Sequence, residues 1–205
     1  MRTEIFKHHQ RVIIEPGEFY VSDCPVTIST LLGSCVAVCL FDPINKVMGM
    51  NHFMLSHNHQ PCEQPVLQTD AGRYGVNAME LLINKMLMVG AEKRLFKAKV
   101  FGGGNVLKNV YPRQGGRTVG EQNIAFIRDF LHDERIPLVA ESLGGNEGRV
   151  IHFSYGNFSV YARKIKSAER GRRLGLRDHN CWLHAMSEQE KHSGGARDIE
   201  LWGND

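Results

Sequence analysis

Cys35 and His52 are the two residues of this chain best suited to covalent chemistry. Cys35 follows Gly33 and Ser34 and begins an apolar run over 35–41, and His52 lies inside a second apolar segment over 49–55. A glycine lets the backbone bend sharply, and unpaired amides at such a turn can receive an oxyanion. The thiolate is the nucleophilic form of cysteine, and a neighbouring imidazole can generate it. The pair predicts nucleophilic cysteine catalysis.

The same residues also have structural interpretations. A cysteine that begins an apolar strand is usually a core residue, which is the interpretation we give to Cys39. A lone histidine in an apolar strand is more often a hydrogen-bonded core residue than a base. A third group usually orients a catalytic imidazole, and the hydroxyls of Ser29 and Thr30 are both candidates, with strand packing as their alternative role. A cysteine peptidase would use the same dyad.

Glycines and further histidines add two weaker features. Gly102, Gly103 and Gly104 follow a predicted strand without a Walker or Rossmann pattern, so close backbone approach explains them better than phosphate binding. The backbone groups that could hold an oxyanion are those of Gly33, Ser34, Gly102 and Gly103. A zinc site is a competing interpretation, but the spacing of its four possible ligands fits no familiar zinc motif. These ligands are His52, His57, His59 and Cys62. We predict neither a metal nor another cofactor.

The bulk composition excludes several classes of protein. The chain has 205 residues, 42% of them hydrophobic, and a formal net charge of +3. That charge is too small to indicate a nucleic-acid partner. Five irregularly spaced cysteines do not form a disulfide framework, which favours a reducing compartment. The first residues do not resemble a signal peptide, and nothing approaches the roughly 20 apolar residues of a membrane span. We expect a cytoplasmic protein without membrane insertion.

Hydrophobic periodicity predicts a mixed α+β chain. Apolar stripes at helical spacing predict helices over 71–89 and 119–135. β-rich runs predict strands over 18–21, 25–28, 35–41, 47–55, 97–101, 138–141, 150–154 and 158–163. This order favours a layered sandwich of mixed β-sheets flanked by two main helices. We divide the chain into an N-terminal extension (1–14), one domain (15–163) and a basic, then polar, C-terminal tail that is partly disordered (164–205).

Six ordered motifs resemble those of the CheD family of bacterial chemoreceptor glutamine deamidases. They are LGSCVAV (32–38), MNHFML (50–55), RYG (73–75), AKVFGGG (98–104), GEQNI (120–124) and GGNEGR (144–149). The resemblance covers residues 15–163, nearly the whole predicted domain. It implies a cysteine hydrolase with a fold and active-site layout similar to the cytotoxic necrotizing factor toxins.

The resemblance also implies roles and partners. Cys35 matches the family nucleophile and His52 its base. The family has a threonine six positions before the cysteine, where this chain has Ser29, with Thr30 one position closer. The implied reaction deamidates glutamines on chemoreceptor cytoplasmic helices to glutamate, and a CheC-type phosphatase is an implied partner. The alternative is a non-catalytic chemotaxis adaptor that binds receptors or that phosphatase.

Overall fold

Two five-stranded sheets and two main helices form the described part of the protein. The computed structural model describes residues 1–6, 9–55, 70–106, 118–165, 173–174, 176–178 and 180. The strands are β1 (Arg2–Phe6), β2 (His9–Ile13), β3 (Phe19–Ser22), β4 (Thr27–Leu32), β5 (Val36–Asp42), β6 (Val47–Phe53), β7 (Lys97–Gly102), β8 (Leu138–Leu143), β9 (Gly148–Ser154) and β10 (Val160–Ile165). The helices are α1 (Asp70–Met88) and α2 (Val119–Asp133), with a 3-10 turn over Lys93–Leu95.

Both sheets are mixed. The sheet that we call the outer sheet has the order β1-β2-β4-β9-β10, and the central sheet has the order β3-β6-β5-β7-β8. Strands β2 and β4 are parallel in the outer sheet, and β7 and β8 are parallel in the central sheet. The other neighbouring pairs are antiparallel. The predicted layered α+β architecture is confirmed at this level.

The central sheet is covered on both faces. Every residue of β5 and β6 is buried, as the apolar density of the 47–55 segment indicates for β6. One face packs on the two helices, through contacts that include Met79, Met86, Phe126 and Phe130. The other face packs on the outer sheet through Ala37, Cys39 and Met50, opposite residues such as Ile28 and Phe153. Successive side chains of β5 therefore point alternately to helices and to the outer sheet.

The N-terminal residues are part of the outer sheet rather than an extension. β1 and β2 pair with each other, and β2 continues the sheet by pairing with β4. Val12 and Ile14 are buried between the two sheets. The alternation of 9–13 is short and carries charged residues, so the sequence did not distinguish an edge hairpin from an extension.

At the other end, β9 and β10 pair through the turn over 155–157, as predicted. The predicted tail contains the end of β10 and, further on, Leu174 and Asp178, which are both buried. Most of the predicted disorder falls on 181–205, outside the described residues. None of the described helices is both long and apolar enough to cross a bilayer.

Candidate active site

Cys35 lies in the turn that leads from β4 into β5. The Gly104 amide donates to the carbonyl of Gly33 at 2.7 Å, and the Gly103 amide donates to the carbonyl of Cys35 at 2.7 Å. These two hydrogen bonds attach the turn to the glycines that follow β7, which is the neighbour of β5 in the central sheet. The Cys35 side chain is completely buried, with its sulfur 3.6 Å from the sulfur of Met54.

Gly102 and Gly103 shape this turn. Gly102 has φ +118°, and a Cβ there would lie 2.2 Å from the carbonyl oxygen of Cys35, so a side chain would displace the backbone of Cys35. The amide of Gly103 is already donated to that same oxygen. The two glycines therefore support the turn, and their help in holding an oxyanion stays a prediction. The backbone at Gly33 and Ser34, up to the amide of Cys35, likewise stays a predicted part of an oxyanion site.

His52 shares a sheet face with Cys35. Strands β5 and β6 pair antiparallel with Ala37 opposite His52 and Val36 opposite Phe53. Because side chains alternate along a strand, Cys35, Ala37 and His52 point to the same face, toward the outer sheet. Continuing the register puts Cys35 opposite Met54, which agrees with their sulfur contact. Cys35 and His52 are thus diagonal neighbours, whose backbones in a sheet are roughly 7–8 Å apart.

Thr30 fixes the tautomer of His52. The Thr30 hydroxyl donates to the carbonyl of Ile14 at 2.7 Å and lies 2.8 Å from Nδ1 of His52. A hydroxyl has one proton, so Nδ1 of His52 must donate to Thr30. The other ring nitrogen, Nε2, then carries a lone pair, and it has no hydrogen-bond partner among the described residues. A buried imidazole with an open basic nitrogen is the form that a general base needs.

The environment keeps this imidazole neutral. His52 is 1% exposed, and burial, followed by the charge of Arg177, lowers its pKa to about 3. At neutral pH the ring is therefore uncharged.

Ser29 does not reach His52. It points to the other face of β4, where its hydroxyl lies 2.8 Å from Nδ1 of His152, the residue directly opposite it on β9. Of the two hydroxyls that the sequence offered for the third position, the structure brings Thr30 to the imidazole and Ser29 to a different histidine.

Known proteins are similar to this sequence over most or all of its length. A family profile described as CheD chemotactic sensory transduction matches residues 54–164. A "Probable chemoreceptor glutamine deamidase CheD 1" of Geobacter sulfurreducens is 42% identical over 202 residues, which cover 98% of each chain. The chain belongs to the CheD family. A CheD 2 of Shewanella oneidensis is 40% identical over the whole of both chains, and a CheD of Sinorhizobium medicae is 43% identical over 82% of this chain and 88% of its own. Both of these relatives are likewise named "Probable chemoreceptor glutamine deamidase".

Asn123 is a site residue of this CheD-family chain that sequence reasoning did not single out. Its side chain is fully buried; Oδ1 accepts from the Leu55 amide at 2.8 Å, and Nδ2 donates to the Ser34 carbonyl at 2.8 Å. It thereby ties helix α2 to the turn before β5 and to the end of β6. Its place in the GEQNI motif was the available indication, because a polar side chain within a buried helical stripe requires partners.

A cavity of about 230 Å³ lies beside the site of this CheD-family chain. His52 and Tyr74 are among its lining residues, together with Gly17, Asn77 and Leu81. The pKa of Tyr74 is raised by burial and then by the charge of Cys35. The tyrosine of the RYG motif is therefore close enough to the thiol to interact with it electrostatically.

The remaining sequence candidates divide between described and undescribed regions. His57, His59 and Cys62 lie outside the described residues. Within the described ranges, no three His, Cys, Asp or Glu side chains are grouped so that they could hold a metal ion. Asp178, which the sequence assigned to a tail outside the domain, instead lies fully buried with Oδ2 3.2 Å from the amide nitrogen of Ser34.

Proposed function

We propose that this protein hydrolyses the side-chain amide of glutamines on chemoreceptor cytoplasmic helices, with Cys35 as nucleophile. The observation that carries the proposal is the Thr30–His52 hydrogen bond, which leaves Nε2 of a neutral imidazole as an acceptor on the sheet face that Cys35 shares. The substrate class follows from the names of the relatives, which are chemoreceptor glutamine deamidases. A base held in one tautomer beside a thiol is the arrangement that cysteine catalysis uses.

The first half of the reaction forms a thioester. Nε2 of His52 takes the thiol proton, and the thiolate of Cys35 attacks the carboxamide carbon of the glutamine. The developing oxyanion accepts hydrogen bonds from the amides of Ser34 and Cys35. The tetrahedral intermediate then collapses: the carbon–nitrogen bond breaks, His52 returns its proton to the leaving nitrogen, and ammonia departs.

The second half releases glutamate. His52 takes a proton from water, the hydroxide attacks the thioester carbon, and the carbon–sulfur bond breaks to regenerate the thiol. The net reaction consumes one water and converts an amide to a carboxylate and ammonium. Each turnover adds a negative charge to a receptor helix, which changes repulsion between neighbouring helices and thus the balance of signalling states.

Two finer assignments belong to the same proposal. The three layers, in the order helices, central sheet and outer sheet, support a fold of the cytotoxic necrotizing factor type. Binding of a CheC-type phosphatase is compatible with catalysis, and an adaptor role without catalysis is the alternative. The adaptor would bind a receptor domain and leave its mass unchanged.

The test is to incubate the full-length protein with a purified chemoreceptor cytoplasmic domain and to map the product by mass spectrometry. We expect an increase of about one dalton at each of a few glutamines with the receptor chain intact, since an amide is exchanged for an acid. Chain scission would instead indicate a peptidase. Stable binding without any mass change would leave the adaptor and refute the deamidase.

Thr30 and Ser29 offer a matched pair of variants. Thr30→Val keeps the side-chain shape and removes the hydroxyl that orients His52, so we expect turnover of the receptor domain to fall by about 10²-fold. Ser29→Ala removes a neighbouring hydroxyl that contacts His152, and it should leave turnover close to that of the unmodified protein. Ammonia release measures both. The reverse order of effects would transfer the positioning role to Ser29.

A further inference from the structure

The carboxylate of Asp178 binds the groups that the proposed reaction needs. Its side chain is 0% exposed, and its Oδ2 accepts from the Ser34 amide at 3.2 Å. Interaction with the Cys35 thiol is among the effects that lower its pKa, so the carboxylate lies next to the proposed nucleophile. The nucleophile and one candidate oxyanion donor are thus both engaged by one acidic side chain.

Two neighbouring residues hold Asp178 there. Leu174 is 4% exposed and packs where two glycines leave room: a Cβ at Gly148 would lie 2.4 Å from its Cδ2, and one at Gly33 would lie 3.2 Å from its Cγ. Arg177 donates to the Leu31 carbonyl at 2.7 Å. We call Leu174, Arg177 and Asp178 the C-terminal clasp.

Arg177 connects the clasp to both ends of the site. It pairs with Asp178 at 2.9 Å and with Glu15 at 3.2 Å. Its charge also acts on the buried ring of His52. Among the described residues, the clasp therefore lies against the turn between β4 and β5 through the apolar side chain of Leu174, a hydrogen bond to the backbone and ion pairs.

We propose that the C-terminal clasp is an autoinhibitory element in which the Asp178 carboxylate occupies the position of the substrate's carboxamide, so that the clasp must leave before a receptor glutamine can enter. The proposal rests on the proposed function, because the reaction leaves a carboxylate at that position. Asp178 resembles the glutamate product: it presents a carboxylate to the same thiol and the same backbone amide.

The charge of Asp178 supports inhibition rather than assistance. A carboxylate that accepts the thiol proton's hydrogen bond disfavours the thiolate, since two negative charges would then be adjacent. Burial raises the pKa of Asp178 against the lowering effect of Arg177, Cys35 and the Ser34 amide, so the docked carboxylate carries a desolvation cost. A segment that docks against such a cost can open locally without unfolding the sheets.

The test measures the alkylation rate of Cys35 by iodoacetamide in the full-length protein, with the modified position located by peptide fragmentation. We expect Cys35 to be labelled slowly in the protein without substitutions. Labelling should be at least about tenfold faster in Asp178→Ala, because the charge-assisted hydrogen bond of the Asp178 carboxylate is lost. Arg177→Ala should also make the labelling of Cys35 faster. Arg173→Ala is the matched control, since Arg173 is exposed on the same segment, and it should leave the rate unchanged.

Cys39 separates opening of the clasp from unfolding. It is completely buried on the same strand face as Cys35, so it should remain unlabelled in every variant. Faster labelling of Cys35 with Cys39 still protected supports the clasp. An unchanged or slower Cys35 rate in Asp178→Ala overturns it, and so does parallel labelling of Cys39.

Receptor deamidation is measured separately on the same variants. Asp178→Ala should raise the initial rate if both proposals hold. Faster alkylation without any deamidation in any variant would retain the clasp as a cover of Cys35 and reject the deamidase assignment. Slower deamidation in Asp178→Ala, together with unchanged alkylation, would make Asp178 a contributor to catalysis and overturn autoinhibition.

Discussion

A Cys35→Ala variant is expected to fold and to lose receptor deamidation by at least about 10⁴-fold, because no other group can form the thioester. The side chain is fully buried, so removing its sulfur leaves a small cavity and should lower the free energy of unfolding by about 1–2 kcal/mol. The activity loss thus far exceeds what the stability change explains. Mass mapping of the receptor domain measures the first effect and urea denaturation the second.

Cys39→Ala is the matched control. Cys39 lies on the same face of β5, is equally buried, and has a thiol whose pKa is raised by that burial. The variant should show a similar loss of stability and keep its deamidase activity. Activity in Cys35→Ala comparable to that in Cys39→Ala would falsify the nucleophile assignment, whatever the structure of the turn.

The sequence predicted the central sheet and its helices well, because their apolar patterns are long and regular. The run from Val36 to Phe41 and the second run ending at Phe53 have no polar alternation, and both strands prove to be buried on both faces. The N-terminal hairpin was missed because β1 and β2 are short strands at one end of the outer sheet. Their assignment depends on pairing with β4, which is a tertiary contact that local periodicity does not contain.

The sequence predicted the chemistry of the site better than it predicted which face of a strand each site residue occupies. The register of β4 decides that Thr30 faces the central sheet and Ser29 faces away, because a shift of one residue reverses every side chain of a strand. Counting positions back from Cys35 does not show which hydroxyl faces His52, because the turn at Gly33 and Ser34 lies between them. The geometry of that turn depends on Gly102 to Gly104, at the end of β7 and just after it.

Asn123 and Asp178 were beyond sequence reasoning for a different reason. Each acts on the turn at Ser34 from a distant part of the chain, Asn123 on its carbonyl and Asp178 on its amide. No local pattern indicates such a contact. Asp178 in addition lies in a polar, basic segment whose composition is typical of a solvated tail. Its burial is a property of the assembled fold.

A His52→Asn variant is expected to lose receptor deamidation by about 10²–10⁴-fold, the usual effect of removing a general base. The asparagine amide can still donate to Thr30, so the variant tests the base more than the hydrogen bond. The same change should alter how stability depends on pH. The folded pKa of His52 is lowered to about 3 from its ordinary 6.5, so between these values the unfolded chain binds a proton that the folded protein does not.

This contribution is fully present above pH 6.5 and is lost as the pH falls toward 3. From pH 7 to pH 5 it should reduce the free energy of unfolding by about 2 kcal/mol, since the slope approaches 1.4 kcal/mol per pH unit. His52→Asn should remove that part of the decrease, as measured by urea denaturation at both pH values.

His152→Asn is the control for His52→Asn, because His152 is a second histidine between strands, paired with Ser29 and only partly buried. It should keep deamidase activity near that of the unmodified protein. If the two variants lost activity equally, the imidazole of His52 would have no special role. If His52→Asn kept the full pH dependence of stability, the ring of His52 would be less buried and more easily protonated than its position between the sheets requires. Another residue would then have to serve as the neutral base.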